Sequence, residues 1–316
     1  MADTERDPRP EPIEYDGPPD YRVVGRHGVY PDTNHDEIAR FNFLAQMNRH
    51  LSTKVMPGVA EAFEARIEPK RKTAYKTRHQ VRKDLVKDPM FQWWSAMRRA
   101  TMETRQQAGR WVTIRQADEL NGKVKTLTEG DPRLVLDPEF EQPRSTAAID
   151  HHCMPGSYHT ELVPGDVTGP ANYDAGIFAT TGGMLGRYND GGGVAVAQWV
   201  QKNLPDFKPK RILDIGAGLG HNVLPIAEAF PDAEVIAVDT AEAINGRVLP
   251  GISALADEDR VIITGAASGE GDFIGAPGRS GSVSRSCKDR PPRAPRRFRA
   301  VRWGVIMPPG IVLTRE

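Results

Sequence analysis

The spacing of apolar positions predicts that the first third of the chain is helical. Asn34 or Asp36 can cap a first helix. Pro57 is suited to begin the next helix and Pro69 to end it. The apolar face of the first helix recurs every three or four positions, at Ile38, Phe41, Leu44 or Ala45, Asn48, Leu51 and Val55. This part of the chain is therefore expected to pack as amphipathic helices.

Short apolar runs predict strands in the second half of the chain. They are RLVL at 133–136, RILD at 211–214, VIAV at 235–238 and RVIIT at 260–264. A helix is predicted over about 194–203, with Val196, Trp199 and Val200 facing inward, and another from about 240 to 256. Strands that alternate with helices are typical of a mixed α/β fold with a parallel sheet.

The run at 211–222, RILDIGAGLGHN, predicts a ligand site. An apolar strand runs into Asp214, and Gly216, Gly218 and Gly220 follow. The second strand ends at Asp239, which lies 239 − 216 = 23 positions after the first glycine. Glycines let a backbone approach a ligand, and an acid at the end of the neighbouring strand can accept hydrogen bonds from a ribose diol. The pattern therefore indicates a nucleotide-type ligand.

The spacing G-x-G-x-G, with an acid two residues before the first glycine, resembles motif I of the class I S-adenosyl-L-methionine (SAM) methyltransferases. The resemblance implies an α/β, Rossmann-like core. It also implies that the acid at Asp239 binds the ribose hydroxyls and that Asp214 lies near the SAM amino group. The implied cofactor-binding residues are Asp214, Gly216, Ala217, Gly218, Gly220, His221, Asp239 and Thr240.

Two other interpretations of the glycine motif stay open. The glycines could serve only the close packing of a helix on a strand, although such packing does not require two acids at strand ends. Alternatively, the site could take a nicotinamide dinucleotide, whose usual motif is G-x-G-x-x-G.

The chain divides into five predicted regions. They are an acidic, proline-rich N-terminus expected to be disordered (1–33), a helical region (34–122), a loop-rich segment with a lead-in helix (123–205), the SAM-binding core (206–273) and a low-complexity basic tail expected to be disordered (274–316).

Composition gives little indication of a partner. The 316 residues carry no net charge, and the two cysteines, Cys153 and Cys287, are far apart in sequence. No apolar stretch approaches the length of a membrane span or a signal peptide. We expect a cytoplasmic protein without a membrane partner.

The region 66–115 is strongly basic, with 14 Lys and Arg against 4 Asp and Glu. Within it, an apolar stripe at helical spacing comprises Met90, Trp93, Trp94 and Met97. The favoured interpretation is a set of helices with solvated basic faces and the Trp/Met stripe in the core. The alternative is a surface that binds RNA, whose affinity would depend on salt and on the basic residues of 70–87.

The segment 149–161, IDHHCMPGSYHTE, is dense in side chains that can do chemistry. A metal site from His151, His152, Cys153 and His159 would fit no standard zinc spacing, and no metal is predicted. The segment could instead be a substrate-side loop, with His152, Tyr158 and His159 as candidate catalytic groups, or a structural loop. The glycine-rich stretch 180–193 could cover the cofactor or connect domains.

The C-terminal part does not fit the family. From 277 to 302 there are eight arginines, four serines and four prolines. The seven-stranded sheet that the resemblance implies would therefore be incomplete, with one edge unpaired. Apolar residues at 304–314 have a slight similarity to a later turn and strand of the family, but we attribute this similarity to chance. We interpret the chain as C-terminally truncated or frame-shifted.

The expected function is transfer of the SAM methyl group to a small-molecule acceptor. Alternatives are a truncated, inactive protein with a SAM-binding fold and an RNA-binding protein that uses the basic helices.

Overall fold

The computed structural model describes residues 18–129, 134–136, 153–154, 161–163, 165–239, 261–265, 304–307 and 311–314. Within these ranges the protein has a mixed α/β fold that is largely helical. The predicted helix after Asp239 and the N-terminal residues 1–17 lie outside them. In the described part of the chain, no helix is both long and apolar enough to cross a bilayer.

The helices account for most of the described residues. They are α1 (His35–His50), α2 (Met56–Ala62), α3 (Arg78–Leu85), α4 (Pro89–Ile114), α5 (Ala117–Thr128), α6 (Thr168–Thr181), α7 (Gly191–Asn203) and α8 (Val223–Ala229). The π-helical segments Leu51–Val55 and Phe63–Ile67 continue the helical path of α1 and α2, which ends in a 3₁₀ turn at Glu68–Lys70.

The first helix begins and packs as its sequence predicts. The Asn34 side chain accepts from the Glu37 N–H at 3.0 Å, and the Glu37 carboxylate accepts from the Asn34 N–H at 2.9 Å, which is a complete capping box. The residues of the predicted apolar face that are buried are Phe41, Leu44, Ala45, Asn48, Leu51 and Val55. The periodicity of α1 therefore identified its core-facing side.

The apolar stripe on the basic helices is more exposed to solvent than predicted. Met90 and Trp93 on α4 are 38% and 48% exposed, and Trp94 and Met97 are half-buried. The prediction that this stripe lies in the core was wrong for Met90 and Trp93. The beginning of α4 lies beside α2 and the preceding π-helical segment, and the side chains there leave Trp93 in contact with solvent.

Six strands form one sheet. They are β1 (Leu134–Leu136), β2 (Arg211–Ile215), β3 (Glu234–Val238), β4 (Val261–Gly265), β5 (Gly304–Met307) and β6 (Ile311–Thr314). Their order is β1-β4-β3-β2-β6-β5, in which the first four strands are parallel. The strands predicted at 133–136, 211–214, 235–238 and 260–264 are thus present within one or two residues.

The sheet does not end at β2, although an unpaired sheet edge was expected from the C-terminal sequence. β6 pairs antiparallel with β2, and β5 pairs antiparallel with β6. Both strands lie within 274–316, where the sequence analysis predicts none. Their pairing satisfies backbone groups of β2 that would otherwise be exposed.

Two hydrophobic cores position the elements around the glycine motif. One joins the sheet to α7 and α8 and includes Val200, Ile212, Ile226 and Val235. The other joins α1, α4 and α6, and includes Phe41, Val112 and Phe178. The inward face predicted for α7 was wrong for Trp199, which is 47% exposed, whereas Val200 is fully buried.

Candidate functional site

The glycine loop follows β2 and has the open geometry that its sequence predicts. Gly216, Gly218 and Gly220 have φ values of +76°, +54° and +85°, a region that side chains disfavour. A Cβ placed on Gly216 or Gly218 would meet no atom of the described residues within 4 Å. Close packing among the described residues therefore does not require glycine at these two positions, and the space beside them can admit a ligand.

Backbone hydrogen bonds fix this loop to the end of β3. The N–H groups of Gly216 and Ala217 donate to the Val238 carbonyl at 2.7 and 3.1 Å. The Gly218 N–H donates to Oδ2 of Asp239 at 2.9 Å. The two strand ends thus meet at one edge of the sheet, because β2 and β3 are parallel neighbours.

Asp214 is a buried acid without a full set of partners. The residue is 1% exposed, and its Oδ2 has no hydrogen-bond partner among the described residues. Burial, together with the negative charge of Asp239, raises the pKa of Asp214 to about 6. A buried carboxyl group next to a second acid is an arrangement that a bound cation would stabilise.

Helix α7 approaches the loop closely through its first residues. A Cβ on Gly193 would lie 2.4 Å from the Asn222 carbonyl oxygen, so only glycine permits this contact. Farther back along the glycine-rich stretch, Tyr188 lies against Gly25, where an added Cβ would be 2.1 Å from the tyrosine ring. The stretch is thus packed against the N-terminal part of the chain.

Sequence reasoning missed a cluster that joins the helical region to the glycine loop. Asp174 on α6 is 3% exposed. Its Oδ2 lies 2.8 Å from Nε2 of His27, and its Oδ1 lies 3.2 Å from Nε2 of His221, the residue after Gly220. These residues are 147 and 47 positions from Asp174, so no local pattern could have identified the cluster.

The candidate catalytic residues His152, Tyr158 and His159 lie outside the described residues, as do Thr240 and His151. Cys153 is described and is a partly buried free thiol. Among the residues that the structure describes, no group of three His, Cys, Asp or Glu side chains is arranged to hold a metal ion.

A separate groove of about 750 Å³ shares no residue with the glycine loop. It is lined by His50, Lys54, Val55, Arg66, Pro89, Met90 and Trp93. The exposed Trp/Met side chains noted on α4 therefore lie next to basic groups.

Comparison of the chain with protein-family models, curated proteins and solved structures finds no match.

Proposed function

We propose that the chain is a SAM-dependent methyltransferase with a class I, Rossmann-like core, and that it methylates a small molecule. The observation that carries the proposal is the buried carboxylate of Asp214, whose Oδ2 has no hydrogen-bond partner in the described part of the chain, beside an open glycine loop. SAM, when bound, supplies a methyl group on a positively charged sulfonium. It also carries an ammonium group, so it is a cationic ligand that suits a site with two acids.

The residues present fit this ligand in three respects. Asp214 would face the ammonium group as an opposite charge, and Asp239 would accept from the ribose diol. Gly216 and Gly218 leave room for the ligand along the loop. A nicotinamide dinucleotide fits less well, because its anionic pyrophosphate would approach a buried carboxylate.

Calorimetric titration of the full chain with SAM and with S-adenosylhomocysteine tests the proposal. We expect micromolar binding, which Asp239→Ala should weaken by about 10- to 100-fold, since hydrogen bonds to a charged group contribute roughly 1.5–3 kcal/mol. Asp232→Ala, at an exposed acid just before β3, is the matched control and should leave binding unchanged. Folded wild-type protein that binds neither compound would refute the proposal and favour an inactive protein of this fold.

RNA binding by the basic helices is a second candidate, favoured by Trp93 in the groove beside Lys54 and Arg66. Stacking of a base on an exposed aromatic ring contributes about 1–3 kcal/mol. Under this hypothesis, Trp93→Ala would lower affinity for a short single-stranded RNA about tenfold. Trp111→Ala is the control, because Trp111 is 65% exposed on the same helix but does not line the groove.

Fluorescence anisotropy at several salt concentrations measures this affinity. RNA binding through basic residues would weaken steeply as salt rises. Binding that is absent, or equal in the two tryptophan variants, would eliminate RNA as the partner of this groove.

A further inference from the structure

The cluster of His27, Asp174 and His221 connects the helical region to the glycine loop, and its carboxylate is almost fully buried. Asp174 is 3% exposed and lies on α6, whereas His221 belongs to the glycine loop. Helix α6 packs mainly against α4 and α1. The helical region thus places a negative charge directly against an imidazole at the proposed cofactor site.

The hydrogen bonds determine which ring nitrogens carry protons. Nδ1 of His27 accepts from the Val29 N–H at 3.3 Å, so in the neutral ring the proton is on Nε2, which donates to Asp174. A carboxylate oxygen can only accept, so Nε2 of His221 must also carry a proton and donate to Oδ1. In neutral His221, Nδ1 therefore has a free lone pair.

No described residue forms a hydrogen bond with Nδ1 of His221, and the side chain is 18% exposed. Among the described residues, the titratable and charged groups near this cluster include Tyr173, Tyr21, Tyr30, Arg105 and Arg26. Burial raises the pKa of Tyr173, Tyr21 and Tyr30, so these rings stay neutral.

We propose that Asp174 orients His221 so that its Nδ1 accepts a proton from the methyl acceptor. This inference rests on the proposed methyltransferase function, and it narrows the acceptor to a nucleophile that loses a proton, such as a hydroxyl, a thiol or an amine.

In the reaction, the acceptor atom forms a bond to the methyl carbon while the carbon–sulfur bond breaks. The bonding electron pair stays on sulfur, which becomes the neutral thioether of S-adenosylhomocysteine. The acceptor's proton moves to Nδ1 of His221, and the Asp174 carboxylate stabilises the resulting imidazolium. Asp174 is a positioning residue, since it acts through His221.

Nitrogen-15 NMR of the full chain with labelled histidine tests this arrangement without a methyl acceptor. Signals are assigned with His221→Gln and His27→Gln. At about pH 8, where most histidines are neutral, we expect His221 to have its proton on Nε2 and an unprotonated Nδ1. His27→Gln should leave that tautomer unchanged, because Asp174 still accepts from His221.

Asp174→Asn should move the proton of neutral His221 from Nε2 to Nδ1. Nδ1 of His27 still accepts from the Val29 N–H, so the amide oxygen keeps accepting from His27 and the amide nitrogen donates to Nε2 of His221. If this variant does not fold, the wild-type and His27→Gln spectra are sufficient. Adding S-adenosylhomocysteine should shift the His221 ring signals, and calorimetry on the same samples reports whether the compound binds.

A proton on Nδ1 of His221 in the neutral ring would overturn the proposal. So would S-adenosylhomocysteine that binds by calorimetry but leaves the His221 signals unmoved, although the methyltransferase proposal would survive. Absence of binding would instead refute the proposed function, and the assignment of His221 as a base would fall with it.

Discussion

Arg105→Met is expected to lower the free energy of unfolding by about 3 kcal/mol, because it removes a buried charged donor from several acceptors. Arg105 on α4 is 1% exposed. Its guanidinium donates to the carbonyls of Gly176, Tyr173 and Asn172 on α6, at 2.9, 2.9 and 3.2 Å. Methionine can fill part of the volume but cannot donate to these oxygens.

Arg105 and the backbone of α6 are in close contact at Gly176. A Cβ on Gly176 would lie 2.3 Å from Nε of Arg105, so the guanidinium lies directly on the backbone of α6. Asp174 lies within the same turn of this helix. We therefore expect Arg105→Met also to disturb the contact between Asp174 and His221.

Arg99→Met is the matched control for this prediction. Arg99 lies on the same helix, its side chain is 73% exposed, and it pairs with Glu103 at 2.7 Å. An exposed pair of this kind contributes little, so the variant should change stability by less than about 0.5 kcal/mol. Urea unfolding of the wild type, Arg105→Met and Arg99→Met measures their free energies of unfolding. Equal losses of stability in the two variants would contradict the structural role assigned to Arg105.

Asp214→Asn is expected to stabilise the ligand-free protein by about 2–3 kcal/mol above pH 6. The pKa of Asp214 is raised from 3.8 to about 6 by burial and by the charge of Asp239. A folded-state pKa above the ordinary value means that the folded protein binds this proton more tightly than the unfolded chain. The contribution of Asp214 to the free energy of unfolding is thus fully present below about pH 4 and is lost as pH rises through 6.

Asparagine stays neutral, so the variant does not lose this stability as pH rises. The difference in free energy of unfolding between variant and wild type should therefore be small near pH 4 and largest near pH 8. The same change should weaken SAM binding, because the ligand's ammonium group would lose its opposite charge. Greater stability with weaker binding is the behaviour expected of a strained ligand site.

Thermal or urea unfolding at pH 4 and pH 8 measures the first effect, and calorimetry measures the second. Asp232→Asn serves as the control, since this exposed acid should show no difference at either pH. Loss of stability in Asp214→Asn at pH 8 would mean that the carboxylate is satisfied in the folded protein, which would remove the main support for a cationic ligand.

The sequence predicted correctly those features of the fold that depend only on residues close together in the chain. The capping box at Asn34 and Glu37 needs only residues three apart, and the burial of α1 follows its periodicity. The glycine spacing likewise predicted a loop after β2 whose backbone a ligand can approach, and its three glycines have positive φ values. These features depend on the conformational preferences of a few neighbouring residues.

Other features depended on which elements pack together. The same periodicity that identified the buried face of α1 failed for Trp93, because amphipathic spacing indicates an apolar face without specifying that another element covers it. The pairing of β6 with β2 joins residues about 100 positions apart. Short apolar runs at the end of a basic segment gave no local signal for that partner.

The sequence by itself thus determined the helical first part, the succession of parallel strands and the glycine loop with an acid at each strand end. Only the tertiary structure decided that Asp214 is buried, with no partner for Oδ2 within the described ranges, and that Asp174 lies against His221. The physical reason is that local conformation is set by neighbours in the chain. Burial, charge repulsion and hydrogen bonds between distant residues exist only after the elements have packed.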